Sequence, residues 1–349
     1  MTGVFVRGYG VVSPAGWGLE AFRSALDLNT PLPVQELKAP DRAVPLSVRT
    51  VPAPKVRAGF LAQARLRRTS PISHYLVASA LEALGEEAEL IKAGKLRLGI
   101  ILSALSGCVN YSKRFYDETL RNPATASPLV FPETVYNAPS SHLSALLGST
   151  GINYTIVGDP GTFLVGVALG ANWLMTERVD RCLVLASEEM DWLIADALTL
   201  FQRRGILADG AAALYLSSEP GPAVSVELDC VSDPQLFTRA AGRSQAARSV
   251  RNAVRSEDER GGLLCDSLQG AGRIDDAEMS AWADWPGARI SPKRLLGEGL
   301  TAAAGWQCIA AADALVNGAF PTATVNIVGC NQQAIAARFV RNSERKSVV

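Results

Sequence analysis

The side chains best suited to covalent or acid–base chemistry are sparse in this chain of 349 residues. Its six cysteines are Cys108, Cys182, Cys230, Cys265, Cys308 and Cys330, and its two histidines are His74 and His142. A cysteine nucleophile needs a neighbouring base or an electropositive helix start to hold it as thiolate. Both histidines fall in the first half, so any mechanism that takes a histidine from the second half is excluded. No two cysteines form a C-x-x-C pair and no histidine cluster accompanies them, which argues against a metal site. Scattered thiols in a chain this long read as reduced and mostly buried, and point to a cytoplasmic protein. No cofactor motif stands out, and no cofactor is expected.

The elements that would position these residues follow from apolar patterning. Short apolar runs over 4–12, 96–104, 153–157, 182–186, 211–217, 223–230 and 324–328 read as strands, the last of them final in the chain. Helical spacing is expected over 19–28, 71–86, 109–120, 140–147, 161–176 and 300–316. Two of these helices, 161–176 and 300–316, are rich in Gly and Ala and apolar nearly all round, hence central. Each half opens with a strand and later supplies one such helix, which suggests a pseudo-duplicated α/β fold with helices sandwiched between sheets. The halves are expected to divide as 1–218 and 219–349 of one compact unit.

Composition narrows the function classes. Thirty-four basic and 34 acidic residues give zero net charge, which argues against a general nucleic-acid binder. At 48% hydrophobic and 19% charged residues the chain is globular. The start, Met1 to Gly8, lacks the basic and apolar regions of a signal peptide. Pro160 to Thr176 is interrupted by Thr162, Asn172 and glycines, so a buried helix is expected rather than a membrane span. The segment 29–57 holds six prolines and no sustained period, and reads as surface loop. Eight basic residues (Lys38, Arg42, Arg49, Lys55, Arg57, Arg65, Arg67 and Arg68) face one acid, Asp41, between 38 and 68. They make either a docking patch for an acidic partner or a solvated face.

Several segments, in order, resemble the β-ketoacyl synthase family, which has the thiolase fold. Gly8-Tyr9-Gly10-Val11-Val12-Ser13-Pro14-Ala15-Gly16 is similar to the family's opening strand and loop. Asn137-Ala138-Pro139-Ser140-Ser141-His142-Leu143 resembles the helix before the nucleophile strand. Asp209-Gly210-Ala211-Ala212-Ala213-Leu214 resembles the G-E-G-A segment. Ser291-Pro292-Lys293-Arg294-Leu295-Leu296-Gly297-Glu298 with Ala302-Ala303-Ala304-Gly305 resembles S-x-K-x-x-x-G-H…A-A-G. Asn326-Ile327-Val328-Gly329-Cys330-Asn331 sits where the family has N-S-F-G-F-G-G-T-N. The resemblance covers nearly the whole chain and implies a layered α-β-α-β-α arrangement.

The family's chemistry uses a cysteine at the start of the first buried helix and two histidines that polarise a thioester carbonyl. By this resemblance Pro160 stands at the cysteine position, where Asp159-Pro160-Gly161 reads as an N-cap and first turn. Leu268, in Asp266-Ser267-Leu268-Gln269-Gly270-Ala271-Gly272, stands at the first histidine position. Glu298 stands at the second, and Lys293 keeps the family's lysine. An anionic Glu298 has the wrong sign for an oxyanion donor and is expected to pair with Lys293. No catalytic residue is therefore assigned.

Family members that keep the fold and lose the cysteine resemble chain-length factors. The resemblance implies a non-catalytic subunit that pairs with an active ketosynthase and shapes its acyl tunnel in type II polyketide or aryl-polyene-like biosynthesis. An acyl carrier protein is then a partner through the complex. Candidate tunnel residues are Leu105, Cys108, Val130, Phe131 and Thr134. Two alternatives stay open: a homodimeric acyl-binding or scaffolding protein, and an acyl-transferring enzyme that uses Thr162 or Cys108.

Overall fold

The computed structural model describes residues 3–342, except 41, 57, 202–204, 222–223, 257–258, 271 and 330–331 and the side chains of 240 and 273. Arg57 and Asp41 of the basic segment, Ala271, and Cys330 and Asn331 thus lie outside the described residues.

Strand order reveals the duplication. In the first half, strand Phe5–Ser13 pairs antiparallel with Gly210–Ser217, which pairs antiparallel with Arg181–Glu188. Leu98–Ala104 and then Asn153–Val157 follow in parallel. Numbered within the half, the order is first, fifth, fourth, second, third. The second half repeats it: Ser225–Val231 pairs antiparallel with Gln333–Asn342, which pairs antiparallel with Thr322–Val328. Leu263–Cys265 and Ala288–Ile290 then follow in parallel. The two opening strands meet antiparallel, Phe5 opposite Glu227 and Val6 opposite Val226, and join both sets into one sheet path.

Period-two alternation on these strands separates three cores. Ile101, Val184, Leu214, Val325, Ile335 and Phe339 point to a shared central core around helices Thr162–Met175 and Thr301–Val316. Ile100, Leu102, Leu183, Leu185 and Tyr215 point the other way, against helices Pro71–Leu84 and Ala138–Leu147. In the second half, Leu264, Ala334 and Ala336 face helix Ala240–Ala253 and the indoles of Trp282 and Trp285. The result is the five-layer α-β-α-β-α arrangement of a thiolase-like fold. Strands buried on both faces explain runs without alternation, such as Leu98–Ala104, which is buried throughout.

Small residues set the spacing of the central layer. A Cβ on Gly305 would stand 2.3 Å from the Ala212 Cβ, so helix Thr301–Val316 lies against strand Gly210–Ser217 closer than any side chain allows. Trp306, fully buried, donates its indole N–H toward the carbonyls of Val12 (3.2 Å) and Ala211 (3.1 Å).

Three expectations need correction. The proline-rich segment is not simply loop: Gln35–Leu37 and Leu46–Arg49 pair antiparallel, and the latter runs parallel to Leu207–Ala208. Their short length and the flanking prolines mask the pattern. The final strand is Gln333–Asn342, not 324–328, because alternating alanines weaken its apolar signal. Helix Thr162–Met175 is not capped by the Asp159 side chain; its cap residue is Gly161, and the carboxylate is used elsewhere. Among the described residues, no helix is long and apolar enough to cross a membrane, and no cluster of ligands for a metal occurs. The five described cysteines are free thiols.

Candidate functional site

Strand Asn153–Val157 delivers the chain to Asp159-Pro160-Gly161 at the start of the first central helix. Pro160 is buried, and its carbonyl accepts from the Phe163 amide at 3.2 Å. The Asp159 carboxylate reaches into the second half, where Oδ2 accepts the amides of Gln332 (3.0 Å) and Gln333 (3.2 Å). A Cβ on Gly329 would lie 1.7 Å from that oxygen, so only glycine fits the facing loop. The turn at Pro160 is thus a splice between halves. Thr162 Oγ1 is buried with no hydrogen-bond partner among the described residues, and no imidazole stands by to activate it.

Lys293 and Glu298 form the ion pair expected of them, with Nζ and Oε2 3.0 Å apart and side chains 0% and 1% exposed. Gln269 donates its amide to the same oxygen at 2.6 Å, and the Leu300 amide donates to Oε1 at 2.8 Å. Every donor around Glu298 is therefore spent on holding a carboxylate. Leu268 is half-buried in the same loop, its amide donating to Asp266 at 3.2 Å. Beneath it, Glu278 accepts from the Ser267 amide (2.9 Å) and the Asn326 side chain (2.5 Å). Burial pushes the Glu278 and Asp266 carboxyls up, and like charge adds to the rise, from Asp266 at Glu278 and from Asp275 at Asp266.

A cavity of about 250 Å³ opens beside the splice. Leu105, Ile194, Ala197, Leu198, Phe201 and Leu300 form its apolar wall, with Ser106, Asp159 and Gln332 at its polar end. Helix Trp192–Phe201 supplies most of that wall and was not recognised from the sequence. The loop carrying Leu105 and Ser106 is pinned by Glu188, at the end of its strand. Glu188 accepts the Leu105 amide (2.7 Å), the Ser106 amide (2.9 Å), the Ser106 hydroxyl and the Thr301 hydroxyl (2.5 Å). Its neighbour Glu189 takes the amides of Ile72 (3.2 Å) and Asn110 (2.8 Å). These two buried carboxylates also escaped the sequence reading; the signal was a pair of acids directly after the apolar run 182–186 and Ser187.

Of the tunnel candidates, Leu105 alone lines this cavity. Cys108 is buried against Ile72 and Ala138, its thiol 3.6 Å from the Val135 carbonyl. Burial, with Glu189 nearby, pushes that thiol far up, the wrong direction for a nucleophile. Val130 lines a second groove with Arg65, Arg67, Arg68, Arg114, Tyr111 and Glu133, of about 1000 Å³. Phe131 is 56% exposed and packs on Phe115, with ring centroids 5.4 Å apart. Thr134 is half-buried, and its hydroxyl donates to the Phe131 carbonyl at 2.8 Å.

Both histidines are held structurally. Arg65 donates to His142 Nδ1 at 3.1 Å, so Nε2 carries the proton and donates to Glu133 at 2.8 Å. His74 Nε2 lies 2.8 Å from the Leu66 carbonyl, and burial lowers its pKa.

The fold is that of the ketosynthases. No family model and no curated protein sequence matches the chain. Solved structures do. A β-ketoacyl synthase from Burkholderia phymatum aligns with a TM-score of 0.78 at 14% identity, over 98% of this chain and 100% of that one. A ketosynthase in complex with its chain length factor from Xenorhabdus doucetiae aligns at 0.77 and 15% identity, over 98% of each chain. The ishigamide ketosynthase/chain length factor aligns at 0.76 and 17% identity, over 96% of this chain and 99% of that one.

Proposed function

We propose that this chain is a non-catalytic, chain-length-factor-like subunit that pairs with an active β-ketoacyl synthase and shapes the acyl tunnel in polyketide or aryl-polyene-like biosynthesis. The observation that carries the reading is the splice at Pro160. The turn that would present a nucleophile presents a buried proline, and its aspartate binds the two halves together. Around it, Leu268 and the Lys293-paired Glu298 offer no free donor for an oxyanion. A fold maintained this tightly without those groups fits a role of surface and pocket.

Two surfaces suit partners. Among the described residues, strand Asn153–Val157 ends its sheet and pairs on one side only, and it exposes Tyr154 (50%) and Val157 (52%). An unpaired edge with apolar side chains calls for a second sheet or chain. The arginine groove around Val130 fits an acidic acyl carrier protein. Its Glu133 is already engaged by His142.

Co-expression with a ketosynthase from a neighbouring gene tests the proposal. A stable one-to-one complex that elongates carrier-bound acyl chains is expected. Within it, Leu105→Trp should shift the product length distribution, read by mass spectrometry of the released chains, whereas Phe131→Ala, outside the cavity, should not. A lone homodimer would favour the acyl-binding alternative, and acyl transfer from a carrier thioester by the isolated chain would favour the enzyme.

A further inference from the structure

We propose that a groove on the outer helical layer of the second half is a binding site for the phosphate monoester or diphosphate group of a small molecule. The groove measures about 270 Å³ and is lined by Arg248, Arg251, Asn252, Arg255, Ser280 and Asp284 among others. That volume sits just under the roughly 300 Å³ at which pockets for drug-sized ligands begin, so it suits a headgroup rather than a helix. All its cations are arginines, whose forked donors match phosphate oxygens in pairs.

Arg251 is the fixed element. It is 4% exposed, with its guanidinium 4.5 Å from the Trp282 ring centre and 5.6 Å from that of Trp285. Glu259 receives both of its terminal nitrogens, and Nε has no partner among the described residues. Stacking and pairing hold this side chain in one place, its charge met by Glu259, so that it forms a fixed wall of the groove.

Arg248 and Arg255 are the free elements. Arg248 lies one turn before Arg251 on helix Ala240–Ala253, and Arg255 follows just past the helix end; both border the groove. Both are exposed, and neither has a carboxylate partner among the described residues. Glu259 already meets the charge of Arg251, so Arg248 and Arg255 supply the groove's uncompensated positive charge, which an anion between them would balance. The acid on the rim, Asp284, is 62% exposed and 3.7 Å from Arg251, too long for a hydrogen bond and readily displaced. Asn252 and Ser280 add neutral donors.

Calorimetric titration of the full chain with inorganic pyrophosphate, phosphate, phenyl phosphate and sulfate tests this site at fixed low ionic strength. Saturable one-site binding of pyrophosphate, tighter than sulfate, is expected. Arg248→Gln combined with Arg255→Gln should weaken it at least tenfold while leaving the ligand-free thermal midpoint unchanged. Arg65→Gln with Arg67→Gln, in the other groove, should bind as wild type. No saturable binding, equal binding of sulfate, or binding that survives the Arg248/Arg255 change would overturn the site. Binding to phosphatidate-containing phosphatidylcholine vesicles without binding of pyrophosphate would overturn the small-molecule source. No ketosynthase partner enters the assay, so its outcome is independent of the proposed subunit role.

Discussion

At the scale of residues, the site where resemblance implies a histidine holds a closed electrostatic unit. Lys293 and Glu298 are both withdrawn from water, so their worth lies in the pairing. Removing one partner strands the other charge, at a cost of about 3–5 kcal/mol, whereas removing both leaves a neutral gap. Lys293→Met and Glu298→Gln should therefore each lower the urea midpoint sharply, and the double variant should lose less than their sum. Additive losses would show that the pair carries no coupling. A second residue predicts a pH dependence. Asp209 accepts the Val51 amide (2.6 Å) and the Tyr75 hydroxyl (3.2 Å), yet burial pushes its carboxyl up to about 6. A folded-state value above the unfolded one means the native state holds the proton more tightly. This group's contribution is therefore full below about pH 4 and is lost as pH rises through about 6, a change of about 3 kcal/mol. Asp209→Asn should remove that part of the loss between pH 4 and 6 in denaturant titrations. An unchanged profile would place the titration elsewhere.

Elements differ in how plainly the sequence announces them. Strands Leu98–Ala104 and Arg181–Glu188 and both central helices are legible because burial on all sides demands unbroken apolar or small residues. The lack of a thiol around Pro160 was legible as well, since no cysteine lies between Cys108 and Cys182. What escaped depends on distant partners. Helix Ala240–Ala253 is arginine-rich and gains its apolar contacts from Trp282 and Trp285. The cavity wall from Trp192–Phe201 and the anchoring by Glu188 are set by loops far away in sequence. The capping role read into Asp159 failed for the same reason: two amides of the second half compete for its carboxylate. The close approach of Gly305 to Ala212 gives an element-level prediction. Alanine at 305 gains about 1 kcal/mol of helix propensity, but carbon contacts relax only near 3.5–4.0 Å. At 2.3 Å the helix must shift, and overpacking of about 1–3 kcal/mol or more should win. Gly305→Ala should lower thermal stability; a stabilised variant would show that the central layer is looser than its packing implies.

For the whole molecule, the pseudo-twofold of strand order leaves the two sheet ends unequal. The second half ends on the three-residue strand Ala288–Ile290, too short to recruit another strand. The first half ends on Asn153–Val157, five residues long, directly before the splice at Pro160. Pairing along that edge would place a second chain beside the turn at Pro160, where, on the proposed reading, a partner's working site can share the tunnel. Lysine on an exposed edge strand, here at its last residue, opposes such pairing by requiring its charge to stay in water. Val157 is half exposed and belongs to none of the buried cores, so Val157→Lys should leave the isolated fold intact. In the complex with a ketosynthase it should raise the dissociation constant at least tenfold, about 1.4 kcal/mol. Analytical ultracentrifugation of the co-purified proteins reads this directly. An unweakened complex would move the interface to another face, with the apolar run of Leu129, Phe131, Val135 and Tyr136 the next surface to test.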